Sequence, residues 1–348
     1  MLAAQSSPSS LRSMSGNNPH AAPFRPASLP PSLLDAVFSA ANDDDWSALC
    51  RIMGEYISLI EEGFCRMGKG WRDTEPQLKE LWTVFYVCAK EFDYSSSLHD
   101  RLALHLIRIR SRGKLYRPTH FPGGPVPAEP IRRHDMMQVA MAPGHGFLWT
   151  DLPFLFDEMA MRWSAEFWFL ESDQRVNLSS FFAKAASANL VDDKVYFFFF
   201  SLLREALEKP LAVDSNRLAI LLPPTGIWFD EAGHKLIELS NASVDYFPAP
   251  VSSAGPLFEQ SWLGCRWRRT GFTPGRWLFW LQRLDQIENE AIRMGLVGPD
   301  SIAKMAADAM HCMLSQVELR NTWVLKELEN HGNLIRDQSR LSLRKRYQ

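Results

Sequence analysis

The chain has 348 residues, 46% of them hydrophobic and 12% aromatic, so it can bury a thick aromatic core without covalent staples. Its 38 basic and 40 acidic residues give a formal net charge of −2, which argues against non-specific attraction to nucleic acid or a membrane surface. Five dispersed cysteines without a CxxC pair are typical of free thiols in a reducing compartment, and give little support to zinc or a redox dithiol.

The first 31 residues are rich in Ser, Pro, Asn and Ala and contain little that could be buried, so we predict a disordered tail over 1–31. A mitochondrial transit peptide is the weaker alternative, because the prolines oppose the amphipathic helix that it needs. The longest apolar run, Val195 to Leu203, is far shorter than the ~20 residues that span a bilayer. We therefore expect no membrane association and a cytoplasmic location.

Helical signals dominate the first third of the chain after this tail. Ser32 and Asp45 are good N-caps, and Thr74-Glu75-Pro76 has the pattern of a helix start. Apolar residues recur at helical spacing after Asp45, until three glycines between Gly63 and Gly70 end the pattern. A further helix is predicted from about Ser97 to Arg110.

Between Gly113 and Gly146 the periodicity disappears, and six prolines and five glycines predict a long internal loop over 113–146. Loops of this length inside a domain are often functional or inserted, and both alternatives stay open.

Helical patterns resume at Asp151 and continue to the C-terminal region. We expect Asn177 to cap a helix over 178–189, a helix start at Asp192-Asp193, and a short segment from Asp214 ended by Pro223-Pro224. The remaining predicted helices run from Thr225 to about Leu239 with a break at Gly233, from Thr273-Pro274 to Gly295, and from Ser301 to about Asn330.

Neither a strongly alternating strand pattern nor a hairpin signal is found, so the predicted fold is all-α. We expect a multi-helix bundle or array with an aromatic core, forming a single domain over 32–332 and followed by a flexible basic tail over 333–348. Nuclear import through that tail is the alternative to a cytoplasmic location.

The segment from Gly255 to Ile287 concentrates tryptophan and arginine, and supplies the candidate site residues Arg276, Trp277, Trp280 and Arg283. Such a mixture can bind a ligand, or stack the bases of a single-stranded nucleic acid. Trp277 and Trp280 follow the core period of a capped helix, however, which favours burial with the arginines stacked or ion-paired. Ligand binding and a structural role remain the two interpretations.

The sequence contains none of the catalytic motifs that we considered. The chain lacks GxSxG, HExxH, GxxxxGK[ST] and GxGxxG, and neither Asp43-Asp44-Asp45 nor Asp192-Asp193 continues into the DDxxD motif of terpene cyclases. His99-Asp100 with His105 lacks the further ligands of an HD-type phosphohydrolase, and we interpret it as a solvated helix start. We therefore predict neither a metal site nor a cofactor.

Two blocks of the sequence form a distinctive pattern. The first joins Phe167-Trp168, Asn177-Leu178 and the stretch from Leu202 to Glu208. The second joins the GPL at Gly255, the GFT at Gly271 and the RWxFWxxRL that begins at Arg276. The first block is similar to the FW, NLxxFxA and LRxALE, and the second to the GPL and GFSxxRWxFWxxRL, of a fungal family of helical proteins known as domain of unknown function 3632. The resemblance spans about residues 160–290. It implies a helical intracellular fungal protein with no assigned activity, whose relatives occur in secondary-metabolite gene clusters.

Our leading functional prediction is a non-catalytic scaffold or binding protein, because no convergent set of ionisable residues is apparent. The alternative is an accessory enzyme of fungal secondary metabolism, with its site at the 113–146 loop or the Asp192-Asp193 helix start. Under either function, the partner of this protein would be an unidentified protein or small molecule.

Overall fold

The computed structural model describes residues 33–42, 45–119, 137–190, 193–245, 249–320, 323, 324 and 326. The predicted tails at 1–31 and 333–348 lie outside these ranges. Helices dominate the described residues, which confirms the predicted all-α class. They are α1 Leu33–Asn42, α2 Trp46–Cys65, α3 Trp71–Glu91, α4 Ser97–Arg110, α5 Leu155–Glu166, α6 Ser172–Ser187, α7 Tyr196–Leu203, α8 Asn216–Glu231, α9 Gly233–Asn241, α10 Ala249–Ser252, α11 Pro256–Gln260, α12 Trp262–Arg266, α13 Pro274–Arg293 and α14 Ile302–Arg320.

The longer helices form an array in which each packs on the next. Contacts run from α2 to α3, then through α6, α8 and α14 to α13, while α9 lies against both α13 and α14. One continuous apolar cluster threads this array. The single domain over 32–332 stays a prediction.

Aromatic side chains make much of that core. Phe182 of α6 stacks on Phe198 of α7, with ring centroids 3.7 Å apart and planes inclined by 6°. Trp163 of α5 packs edge-on against both rings, at 5.6 Å and 5.4 Å. Such pairs contribute about 0.5–1.5 kcal/mol each beyond the burial of their area, so they fix α5 and α7 against α6.

Several helix starts agree with the sequence. The Asp45 carboxylate accepts a hydrogen bond from the Ala48 amide at 3.0 Å, and Thr273 Oγ1 accepts one from the Arg276 amide at 3.1 Å. The break near Gly233 is also confirmed, because α8 ends at Glu231 and α9 begins at Gly233.

Two predicted helix starts were wrong, in both cases because the polar side chain has another partner. Helix α3 begins at Trp71, three residues before Thr74, whose hydroxyl donates to the carbonyl of Gly70 at 3.0 Å. Asn177 lies inside α6, where its side-chain amide donates to Lys90 O at 3.0 Å and accepts from the Tyr94 amide at 2.9 Å. Asn177 thus holds the turn between α3 and α4 instead of capping a helix.

The predicted helix end at Pro223-Pro224 and the predicted helix start at Thr225 were also wrong, because α8 continues through all three residues. Each proline lacks the N–H that the carbonyl four residues earlier would accept. Thr225 Oγ1 donates to Leu221 O at 2.7 Å, and the buried face of α8 packs between α6 and α14. Tertiary packing therefore outweighs the local preference.

The predicted loop over 113–146 contains short strands that the sequence analysis did not find. Strand β1 (Tyr116–Pro118) pairs antiparallel with β2 (Met137–Val139), and β3 (Met141–Ala142) with β4 (Gly146–Phe147). Two or three residues are too few to show an alternating pattern. Residues 120–136 lie outside the described ranges.

No helix among the described residues is both long and apolar enough to cross a membrane.

Candidate functional site

The candidate residue Arg276 forms a fully buried ion pair, whose partner the sequence does not reveal. Its partner is Glu208, the last residue of a π-helical turn (Arg204–Glu208) that follows α7 directly. Arg276 Nε donates to Glu208 Oε1 at 2.7 Å and Nη2 donates to Oε2 at 3.1 Å. Both side chains are 0% exposed. The pair is therefore bidentate and shielded from water, the strongest geometry for an arginine and a carboxylate.

Every guanidinium donor of Arg276 has an acceptor. Nη1 donates to the carbonyls of Ser252 at 2.7 Å and Gly271 at 2.9 Å, and the second Nη2 hydrogen faces Ser253 O at 3.4 Å. Together with the two bonds to Glu208, these contacts use all five N–H donors of an arginine side chain. No donor of Arg276 is left for an external ligand.

Glu208 is equally saturated. Trp280 Nε1 donates to its Oε1 at 2.7 Å, and the Gly255 amide donates to its Oε2 at 2.6 Å. A Cβ on Gly255 would lie 2.7 Å from the Glu208 carbonyl oxygen, so this close approach requires glycine. The rings of Phe200 and Trp280 lie 4.8 Å and 5.5 Å from the guanidinium carbon of Arg276. We call Glu208, Arg276, Trp280 and Gly255 the Glu208 cluster. It joins the two sequence blocks that resemble the family, since Glu208 ends the first block and the other three residues belong to the second.

The two other predicted site residues lie apart from this cluster. Trp277 is fully buried and packs against Phe229 with ring centroids 5.8 Å apart. Arg283 is half-buried, and its hydrogen bonds to the described residues are long, to Gln286 Oε1 at 3.3 Å and Leu211 O at 3.4 Å. Burial lowers the pKa of Arg283, and the charge of Glu290 partly opposes that shift. The structure therefore brings Arg276 and Trp280 together, but neither Trp277 nor Arg283 joins them.

An open groove on the surface, which the sequence analysis does not predict, offers space for a ligand, whereas the Glu208 cluster is closed to solvent. It encloses about 270 Å³ between the 3-10 turn Phe167–Phe169, helices α5 and α7, the π turn and α8. Its floor is apolar and buried, and is formed by Trp163, Phe167, Leu202 and Leu221. We call it the aromatic groove.

The rim of the aromatic groove carries an exposed tryptophan and several charges. Trp168 is 43% exposed, and the guanidinium carbon of Arg217 lies 4.5 Å from the centre of its ring. Arg217 Nη2 donates to Glu205 Oε2 at 2.7 Å, while the other oxygen of Glu205 accepts from Lys209. Arg204 lines the same rim. The groove thus combines a flat apolar ring, accessible to solvent, with positive charge.

A second groove lies between α8 and α14 and encloses about 330 Å³. Cys312 lines it, with its thiol 3.8 Å from Asp230 Oδ1. Burial and the nearby carboxylate of Asp230 raise the pKa of this thiol to about 11. The Cys312 sulfur is therefore protonated at neutral pH, which opposes a nucleophilic role.

His99 is buried, so its interpretation as part of a solvated helix start was wrong. Its Nε2 hydrogen-bonds Asn177 O at 2.9 Å, and Lys184 Nζ lies 3.2 Å from its Nδ1. Burial and the charge of Lys184 lower the pKa of His99 to about 4. Lys184 also bonds Asp100 Oδ1 at 2.6 Å. Within the described ranges, no group of three His, Cys, Asp or Glu residues is placed to hold a metal ion.

Comparison with known proteins places this chain in a family. No solved structure matches the chain. A relative from Penicillium oxalicum, the "Oxopyrrolidines biosynthesis cluster protein G", is 28% identical over 299 residues, covering 82% of this chain and 79% of the relative. A family model described as "Protein of unknown function (DUF3632)" matches residues 82–284, a range that contains both the Glu208 cluster and the aromatic groove. Since that match spans more than half of the chain, the protein belongs to the DUF3632 family.

Proposed function

We propose that this protein is a non-catalytic helical binding protein, and that its ligand occupies the aromatic groove. The observation that carries the proposal is the combination of an exposed indole, Trp168, with a buried apolar floor and charged side chains at one rim. Pockets that bind small molecules have this composition, apolar walls with a few polar groups that orient the ligand.

The Glu208 cluster supports the same proposal by its geometry. The donors of Arg276 are all used internally, and both partners are completely buried. We therefore assign Arg276 and Trp280 to the stability of the fold and not to ligand contact. We place ligand contact at the surface formed by α5, α7 and α8 instead of at α13.

The relative's name suggests the biological setting. Because that relative is named as a member of a biosynthesis cluster for oxopyrrolidines, we propose that this chain also serves a fungal biosynthetic pathway. We further propose a cytoplasmic location, which the free state of all five cysteines supports.

A second candidate function is an accessory enzyme of such a pathway, and membership of the relative in a biosynthesis cluster favours it. The sites considered from the sequence do not help here, since Asp192 and residues 120–136 of the 113–146 loop lie outside the described residues. The two functions differ in one measurable respect, which is whether the bound molecule leaves the protein unchanged.

The binding proposal can be tested with a neutral apolar probe, N-phenyl-1-naphthylamine, whose fluorescence rises in apolar surroundings. We expect saturable binding that is weakened roughly tenfold or more by Trp168→Ala, because stacking on an exposed aromatic contributes about 1–3 kcal/mol. Trp262→Ala is the matched control, since Trp262 of α12 is 44% exposed and lies outside the groove. Equal loss in both variants, or no saturable binding, would contradict the proposal.

The choice between binding and catalysis needs a separate experiment. A producing strain that lacks the gene would accumulate the compound on which the protein acts, and the purified protein is incubated with extract of that strain. Masses that remain unchanged support a non-catalytic role. A new mass that appears only with the folded protein establishes the enzyme.

A further inference from the structure

We propose that the aromatic groove selects a small anionic molecule, a compound of one or two aromatic rings that carries a single carboxylate or an equally acidic group. This inference rests on the proposed function and adds the chemical class of the ligand. It is argued from the size of the groove, the chemistry of its floor and the sign of the charge at its rim.

The size of the groove limits the ligand. At about 270 Å³, it is slightly smaller than the roughly 300–1,000 Å³ typical of sites for drug-sized molecules. Trp163 and Phe167 contribute aromatic rings to the floor, and Phe197 is a half-buried ring beside them. A flat body of one or two rings fits this floor better than a long or strongly polar chain.

The sign of the rim charge selects an anion. Arg217 and Glu205 line the groove, and Glu205 accepts hydrogen bonds from both Lys209 and Arg217. Two cationic side chains thus share one carboxylate, so this part of the rim keeps an excess of one positive charge. A cationic ligand would be repelled by Lys209 and Arg217, whereas polyanions such as nucleic acids need a longer row of phosphate contacts than this short rim provides.

Arg217 is placed to contact the acidic group while Trp168 holds the ring. The bond from Arg217 Nη2 to Glu205 uses one of five guanidinium donors. The side chain of Arg217 is 50% exposed, and ion pairs this exposed are weak enough to share a donor with a ligand. Because its guanidinium stacks on the Trp168 ring, a carboxylate bound to Arg217 would leave the aromatic body over the floor.

The test compares two probes of equal shape, 2-naphthoate and its neutral amide 2-naphthamide, by isothermal titration calorimetry on the full chain. We expect naphthoate to bind at least roughly tenfold more tightly than naphthamide, since a charge-assisted hydrogen bond to arginine has about that effect. Arg217→Gln should abolish this preference and leave naphthamide binding unchanged.

Two further variants fix the interpretation. Arg293→Gln is the control, because Arg293 belongs to an exposed pair with Glu290 on α13, away from the groove; it should change neither affinity. Glu205→Gln removes the one carboxylate of the rim and should tighten naphthoate binding several-fold, a gain that general damage to the fold cannot produce.

The outcomes separate the two proposals. If both probes bind equally and Trp168→Ala weakens both, the aromatic groove is the binding site but the preference for an anion is wrong. If Arg217→Gln leaves the preference for naphthoate intact, the preference for an anion is not due to Arg217 and the inference fails. If neither probe binds, the inference fails and the proposed function also loses its support.

Discussion

Removing the charge of Glu208 is the sharpest perturbation of the fold that the structure suggests. Glu208→Gln keeps the shape of the side chain but leaves the guanidinium of Arg276, which is 0% exposed, without a counter-charge. Breaking a buried ion pair from one side costs about 3–5 kcal/mol. The hydrogen bonds from Trp280 Nε1 and the Gly255 amide also lose a charged acceptor, so we expect the upper half of that range.

Urea denaturation followed by circular dichroism measures this loss directly, and the midpoint of thermal unfolding should fall by roughly 6–10 °C for a chain of this size. Glu290→Gln is the matched control, because its pair with Arg293 is exposed and should contribute no more than about 1 kcal/mol. A Glu208→Gln protein whose free energy of unfolding stays within about 0.5 kcal/mol of wild type would show that the buried charge pair does not stabilise the fold.

The double variant Glu208→Met with Arg276→Met tests whether the two side chains act as a pair. Since neither charge is then left alone in the core, its loss of stability should be smaller than the sum of the two single losses. Simple addition of the single effects would mean that the ion pair contributes nothing beyond its separate hydrogen bonds.

Three further predictions concern other buried groups. Burial lowers the pKa values of His99 and His105 to about 4, so the unfolded chain binds more protons than the folded chain between pH 6.5 and pH 4. The free energy of unfolding should therefore fall by roughly 1–2 kcal/mol for each histidine as the pH drops from 7 to 5. In denaturation curves, His99→Gln and His105→Gln should each show a smaller fall than wild type. Asn177→Ala removes two hydrogen bonds at the turn between α3 and α4 and should cost about 1–3 kcal/mol in urea denaturation. Gly275→Ala would place a Cβ 2.0 Å from an indole carbon and should destabilise by roughly 1–3 kcal/mol, whereas Gly54→Ala in α2, with nothing within 4 Å, should stabilise by about 0.4–1 kcal/mol in the same assay.

Much of the fold could be predicted because local signals and packing agree. Asp45 and Thr273 cap the helices that the sequence assigns to them, and the break near Gly233 separates α8 from α9. Where the predictions failed, a distant partner decided. Asn177 binds the α3–α4 turn, and α8 passes Pro223-Pro224 because its neighbours cover both of its sides.

The candidate site was less predictable, since its parts come from separate segments. The sequence indicates Arg276 and Trp280, but not their common partner Glu208. Glu208 comes shortly after a long apolar run, and this is the one sequence signal that it is buried. In the sequence, Trp168 belongs to a block that resembles the family, and no motif marks Arg217. Their stacking depends on the packing of α8 beside the 3-10 turn, which no spacing in the sequence reports.

If this protein binds its ligand in the aromatic groove while the Glu208 cluster holds the fold together, a bound probe should protect the backbone only around the groove. Hydrogen–deuterium exchange with and without N-phenyl-1-naphthylamine measures this protection. We expect slower exchange on binding in residues 163–169, 197–205 and 217–221, with no change in 271–283. Protection centred on 271–283, or spread evenly over all the helices, would contradict it.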